Sequence, residues 1–150
     1  MHMLIKAIVP GEDKEDALSN AESIFEDLVK RRYFDWYDTE ASPYLSNVVA
    51  ADSPEGKKLI EESLQITRKE FKENLNKIKD AIAKLSEDDL FEDVELFRYY
   101  CYCIGQYAGP YVWMYNEYGE GITNKWQLDS ALEKKNKDEK LWIVSSDVHY

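Results

Sequence analysis

Asp147 and His149 are the side chains best suited to acid–base chemistry in this sequence. Residues two apart in an extended strand point to the same face, so this carboxylate and imidazole could act on one proton or one ligand. His149 is therefore the general base of any enzymatic interpretation. The alternative is a solvated strand end that frays. His2, the other histidine, lies in a position compatible with a cloning remnant.

Cys101 and Cys103 are the only cysteines of the chain. If residues 90–104 are helical, these side chains point about 200° apart and cannot easily share a metal ion. No second Cys or His pair occurs at ligand spacing. We therefore predict two structural cysteines, one in the core and one at its edge, with no metal and no other cofactor.

No other motif predicts a particular reaction. The Gly119-Glu-Gly121 segment is too short to bind a phosphate in the way that glycine-rich loops do. Paired carboxylates, such as Glu61-Glu62 and Asp88-Asp89, fall on charged helix faces or caps and are typical of solvated surfaces. The sequence therefore assigns no catalytic residues.

Aromatic residues are more informative, because eleven Tyr and four Trp exceed what a small core needs. Tyr and Trp suit interfaces, since they bury a large area and keep a polar group. Arg98 could clamp an anionic group while neighbouring rings stack on a planar one. The alternative is that most rings belong to the core. The candidate ligand or partner surface consists of Trp36, Tyr37, Arg98, Tyr102, Asp147 and His149.

The formal net charge of −11 disfavours direct binding to nucleic acid or to an anionic membrane. No apolar run approaches the roughly 20 residues of a membrane span, and the first residues lack the pattern of a signal peptide. We expect a soluble cytoplasmic protein that binds a protein partner or itself.

The first 38 residues predict a strand, a helix and a strand. Residues 3–9 alternate around Lys6, which points away from the apolar face, and end at Pro10-Gly11. Asp13 is an N-cap for a helix that reaches Arg32, and residues 33–38 resemble a second strand. Residues 39–52, with Pro43, have the composition of a loop.

A long helix is predicted to begin at Ser53-Pro54. Its apolar residues form a narrow seam, and a cap at Ser86 opens another helix with its own stripe. Each seam could cover the other in a helical hairpin. The seams comprise Leu64, Phe71, Leu75, Ile78, Ile82 and Leu85 in the first helix, and Leu90, Val94, Phe97, Cys101 and Ile104 in the second.

The remaining chain predicts a strand at 111–115, a short helix around Trp126 to Leu132 and a last strand at 141–149. The fold class is therefore α+β in one domain, residues 1–150. We predict a ferredoxin-like β-α-β…β-α-β antiparallel sheet, with helices on one face and a hairpin, about 53–105, inserted between strands 2 and 3. The first and last strands should be neighbours in it.

Two short motifs carry a resemblance. The segments Phe34-Asp-Trp-Tyr37 and Asp147-Val-His-Tyr150 make the chain similar to small uncharacterised proteins of archaea and their viruses. This resemblance implies no assigned activity. The absence of catalytic motifs, the many Tyr and Trp residues and the negative charge favour a non-enzymatic interaction or regulatory module, virus-encoded in one form of the hypothesis. The alternative is a ligand-binding protein or enzyme using Arg98, Asp147 and His149.

Overall fold

The computed structural model describes residues 1–40, 47–105 and 112–150. The fold is α+β, with a mixed five-stranded sheet. The elements are β1 (His2–Pro10), α1 (Lys14–Lys30), β2 (Trp36–Asp38), β3 (Val48–Ala50), α2 (Pro54–Ala83), α3 (Glu87–Glu92), α4 (Val94–Gly105), β4 (Met114–Tyr115), α5 (Lys125–Ala131) and β5 (Leu141–His149).

The centre of the sheet is formed by β1 and β5. They are antiparallel over nine residue pairs, from His2 opposite His149 to Pro10 opposite Leu141. The predicted pairing of the two terminal strands is confirmed. Because side chains alternate along both strands, this register fixes which residues of the two ends share a face.

The strand order is β2-β5-β1-β4, with β3 also paired to β5, and it differs from the predicted ferredoxin-like order. That order would place the strand at 111–115 centrally and make every pair antiparallel. Instead β4 is a two-residue edge strand, parallel to β1. A strand this short forms few ladder hydrogen bonds, so the nine-residue β5 takes the central position beside β1.

Helices cover both faces of the sheet, which corrects the prediction of helices on one face only. On one face, Ile5, Ala7 and Val144 pack with α1 in one buried cluster. On the other face, Ile8 and Ile143 pack with Ile60 from the first turns of α2, and the apolar residues of α5 lie against them.

Helix α1 forms as its sequence predicts. The side chain of Asp13 caps it by accepting a hydrogen bond from the backbone N–H of Asp16. Its apolar residues recur at helical spacing and are buried against the sheet. Full burial of a side chain such as Phe25 contributes about 1.5–3 kcal/mol relative to exposure. The buried residues are Ala17, Ala21, Ile24, Phe25 and Leu28.

Two strand predictions need correction. The loop predicted at 39–52 contains β3, whose Val48 and Val49 are buried beside β5. The second strand begins at Trp36, three residues later than predicted. Three-residue strands depend on their partner more than on their own composition. Pro43 and the Gly109-Pro110 pair lie outside the described residues.

The chain divides into two compact units, residues 1–66 with 112–150, and residues 67–111. The boundary falls within α2, which runs for 30 residues from Pro54. Ser53 caps this helix as predicted, since its hydroxyl accepts from the N–H of Gly56. Within the described ranges, no helix has both the length and the apolar character required to cross a membrane.

In the second unit, the predicted second helix is interrupted at Asp93. Its N–H donates to the carbonyl of Asp89, ending α3, and its carboxylate accepts from the N–H of Leu96, starting α4. The mutual burial expected of a helical hairpin is not observed for four seam residues. Phe71, Ile82, Val94 and Phe97 are all exposed.

Candidate functional sites

The two histidines of the chain meet at one end of the sheet. His2 and His149 are directly opposite each other in the β1–β5 ladder, so their side chains lie on the same face. Their ring centroids are 5.3 Å apart and the rings are nearly perpendicular. Residues 147 positions apart thus form one imidazole pair.

Each imidazole is paired with its own aspartate. Nδ1 of His2 lies 2.9 Å from Oδ2 of Asp147, and Nδ1 of His149 lies 3.0 Å from Oδ2 of Asp35. When neutral, an imidazole that donates from Nδ1 presents Nε2 as a proton acceptor. This is the arrangement that orients the base in Ser-His-Asp triads. Both histidines are therefore positioned to accept a proton or a ligand N–H or O–H group.

Trp36 completes this cluster from β2. It is opposite His149 in the β2–β5 ladder, and the two rings are stacked at 6.0 Å with an angle of 4° between their planes. Its ring also lies 5.4 Å from that of His2. Trp36 is exposed, so its broad apolar ring is accessible to a ligand beside the two potential bases, His2 and His149. We call His2, Asp35, Trp36, Asp147 and His149 the histidine cluster.

Three of the six predicted site residues, Trp36, Asp147 and His149, come together in this cluster. Tyr37 does not, because it points to the opposite face, where its ring lies 5.8 Å from that of Phe25. Burial raises the pKa of the Tyr37 hydroxyl, and the negative charges of Glu22 and Glu26 raise it further.

Arg98 and Tyr102, the remaining two predicted residues, belong to the second unit. Both are exposed on α4. The guanidinium of Arg98 forms an ion pair with Glu95 one turn earlier, so part of its hydrogen-bonding capacity is already used. The anion clamp assigned to Arg98 remains a prediction.

His2 and Asp35 are members of the cluster that sequence reasoning missed. Asp35 directly precedes β2, and its backbone N–H also donates to the carbonyl of His149. His2 could have been found by applying period-two alternation to both terminal strands at once. An antiparallel pairing of these ends places His2 on the face that carries Asp147 and His149.

A second candidate site lies on α3 and α4. Large apolar side chains are exposed there, and Phe91 is 82% exposed. Residues 86–98 contain six acidic residues and one basic residue, Arg98. We call this combination the acidic aromatic surface. Its apolar members are Phe91, Val94, Phe97 and Tyr102, and its acidic members are Glu87, Asp88, Asp89, Glu92, Asp93 and Glu95.

The part of the chain that the structure describes contains no candidate metal site. No group of three or more His, Cys, Asp or Glu side chains is arranged there to hold a metal ion. Cys101 is exposed on α4 rather than in a core. The side chain of Cys103 lies outside those that the structure describes.

Comparison with known proteins places the chain in a family. The sequence profile of a domain of unknown function, DUF7995, matches residues 1–150. The chain belongs to the DUF7995 family. No curated protein and no solved structure is significantly similar to it. The function of this domain is unknown, and membership in DUF7995 therefore supplies no activity.

Proposed function

We propose that this protein is a non-enzymatic interaction module that binds a basic segment of another protein through the acidic aromatic surface. The observation that supports it is the exposure of Phe91, Val94 and Phe97 beside six carboxylates. Exposed clusters of large apolar side chains are typical of protein interaction sites. Isolated exposed apolar residues are normal, but here several lie within two short consecutive helices.

The chemistry of the partner follows from charge. A second copy would bring the same six carboxylates to the interface, and like charges facing each other disfavour association. A segment with Lys or Arg beside an apolar stripe would satisfy both parts of the surface. Amphipathic basic helices are one such class of ligand. A cytoplasmic location and an archaeal or viral source stay predictions within this proposal.

Binding of a defined peptide tests the proposal. The probe is an amphipathic helix of Leu and Lys, about five turns long, with a peptide of the same composition but scrambled sequence as its comparison. We expect the amphipathic peptide to bind more tightly, and the F91A/F97A variant to weaken that binding at least about tenfold. Isothermal titration calorimetry measures both effects.

Trp126→Ala provides the matched control, because Trp126 is also an exposed aromatic residue but lies on α5. This variant should bind the peptide as the unmodified protein does. Equal binding of the amphipathic and scrambled peptides would reduce the interaction to nonspecific attraction by the net charge of −11. A stable homodimer lost in F91A/F97A would also contradict the proposal.

The histidine cluster supports a second candidate function, a small-ligand site with acid–base capacity. The observation in its favour is that two Asp-oriented imidazoles share one face with the ring of Trp36. Thermal-shift measurements with nucleotides test it, since a ligand at about 100 times its dissociation constant adds about 2.7 kcal/mol to stability. The expected shift should disappear in Trp36→Ala. No shift with any nucleotide would oppose this candidate.

A further inference from the structure

The first unit contains a cavity that belongs to neither candidate site. It has a volume of about 510 Å³ and lies between the segment joining β3 to α2 and the segment joining α5 to β5. This volume falls within the usual range of small-molecule sites, roughly 300–1,000 Å³. Apolar side chains form most of its wall: Ile60, Leu132, Leu141 and Trp142.

The wall is part of the folded core rather than a mobile rim. Ile60 is buried in the cluster that packs under the sheet, and Leu132 and Leu141 pack against the same cluster. The indole N–H of Trp142 donates to the carbonyl of Gly11 at 2.9 Å, which fixes the orientation of its ring. A ligand would therefore meet a largely preformed apolar surface, which lowers the entropic cost of binding.

Three lysines line this cavity, although the chain as a whole is strongly acidic. They are Lys57, Lys134 and Lys140, with Asp52 as the one acidic residue of the lining. Within the described ranges, ion pairs involve Lys30, Lys58, Lys69, Lys125 and Lys135, and none involves the three cavity lysines. The Nζ of Lys140 makes only a long contact, 3.5 Å, to the carbonyl of Glu12.

From the apolar wall and the uncompensated lysines, we infer that this cavity binds an amphipathic carboxylate, an anionic head group on an apolar body. The body would lie against Ile60, Leu132 and Leu141, which pack in one cluster, and the carboxylate would accept hydrogen bonds from lysine ammonium groups. A nucleotide fits less well, because its sugar and phosphates would leave polar groups unpaired against the apolar wall. Neither the acidic aromatic surface nor the histidine cluster contributes to this site.

Titration calorimetry with three probes of equal chain length tests the inference: decanoate, decanol and decyltrimethylammonium. Decanoate should bind most tightly, and its affinity should fall as salt is added, because the lysines are exposed to solvent. Replacing the three lysines together, Lys57→Gln, Lys134→Gln and Lys140→Gln, should weaken decanoate binding at least about tenfold and leave decanol binding unchanged.

The control removes the same charge elsewhere, with Lys72→Gln, Lys77→Gln and Lys79→Gln on the exposed part of α2. It should bind decanoate as the unmodified protein does. The inference is overturned if decanoate and decanol bind equally, if both triple variants weaken decanoate to the same extent, or if no decanoate binding occurs up to about 1 mM. Leu132→Trp, which fills the cavity, should abolish binding of decanoate and decanol alike. Retention of both would also overturn the inference.

Discussion

Nδ1 of His2 lies 2.9 Å from Oδ2 of Asp147, which joins the first strand of the chain to the last through a side-chain pair. The contact depends on the β1–β5 register, because Leu4 and not His2 is directly opposite Asp147. His2 reaches the carboxylate diagonally across the ladder. The separate β2–β5 register, with Trp36 opposite His149, brings Asp35 to His149 on the far side of β5.

The first prediction concerns the tautomers of these imidazoles. At a pH where both rings are neutral, each should carry its proton on Nδ1, because that atom faces a carboxylate. Asp35→Ala should remove the preference for the Nδ1-protonated tautomer in His149 and leave His2 unchanged. Asp147→Ala should remove it in His2 and leave His149 unchanged. Long-range ¹H–¹⁵N NMR spectra distinguish the two tautomers. A proton on Nε2 of both rings in the unmodified protein would contradict the described geometry.

The second prediction concerns Lys6, which points away from the face of Ile5 and Ala7 as predicted but is only 5% exposed. Burial lowers the pKa of its ammonium group, and the negative charge of Glu62 offsets part of this effect. Lys6→Met should therefore raise the free energy of unfolding by about 1 kcal/mol at neutral pH, because it removes a buried charge whose partner is exposed. Urea denaturation measures this change.

The pH dependence of that gain has a definite sign. With a lowered pKa in the folded state, Lys6 loses its proton at lower pH than in the unfolded chain, so stability rises with pH through this window. The advantage of Lys6→Met should then shrink as pH approaches the ordinary lysine range. Lys14→Met, at an exposed site, should give no comparable gain. A constant advantage at all pH values would argue against a desolvated charge.

The third prediction concerns Tyr115. Burial strongly raises the pKa of its hydroxyl, with a smaller contribution from Tyr33. At a pH above the ordinary tyrosine pKa, Tyr115 stays protonated in the folded state but loses its proton in the unfolded chain. Stability is therefore lost as pH rises above the ordinary tyrosine range. Tyr115→Phe should lose stability less steeply there than the unmodified protein, as denaturation at alkaline pH would measure. Tyr118→Phe, at an exposed position, should follow the unmodified protein.

The fourth prediction concerns the junction between β3 and α2. A methyl group at Gly56 would come within 2.2 Å of the carbonyl oxygen of Ala50, which also accepts from the hydroxyl of Ser53. Gly56→Ala should therefore lower the free energy of unfolding by about 1–3 kcal/mol through steric displacement. Glu55→Ala, at the exposed neighbouring position, should change it by no more than about 0.5 kcal/mol. If both variants lowered the free energy of unfolding equally, the loss would come from capping of α2 and not from the steric contact at Gly56.

Local patterns predicted the long elements of this fold well. The β-branched run in β1, the Asp13 cap of α1 and the alternation in β5 are encoded by neighbouring residues, and all three elements form where expected. The short strand β3 was missed, and β4 forms within the predicted strand at 111–115 but is shorter and lies at the edge of the sheet. Their two or three residues have too little propensity of their own, and pairing with β5 or β1 determines them.

The histidine cluster was predicted in part for a similar reason. Asp147 and His149 are two apart in one strand, so their common face follows from local geometry. His2 and Asp35 join them only through strand register, which is a tertiary property. The burial of Lys6 also depends on packing of α2 against the second face of the sheet, which a one-faced topology did not include.

Hydrogen exchange in the presence of the Leu/Lys amphipathic peptide tests the proposed interaction function most directly. Saturating peptide should slow amide exchange in residues 87–102, where the acidic aromatic surface lies. The F91A/F97A variant should lose this protection, and Trp126→Ala should retain it. Protection confined to the first unit, or none at all in residues 87–102, would contradict the account.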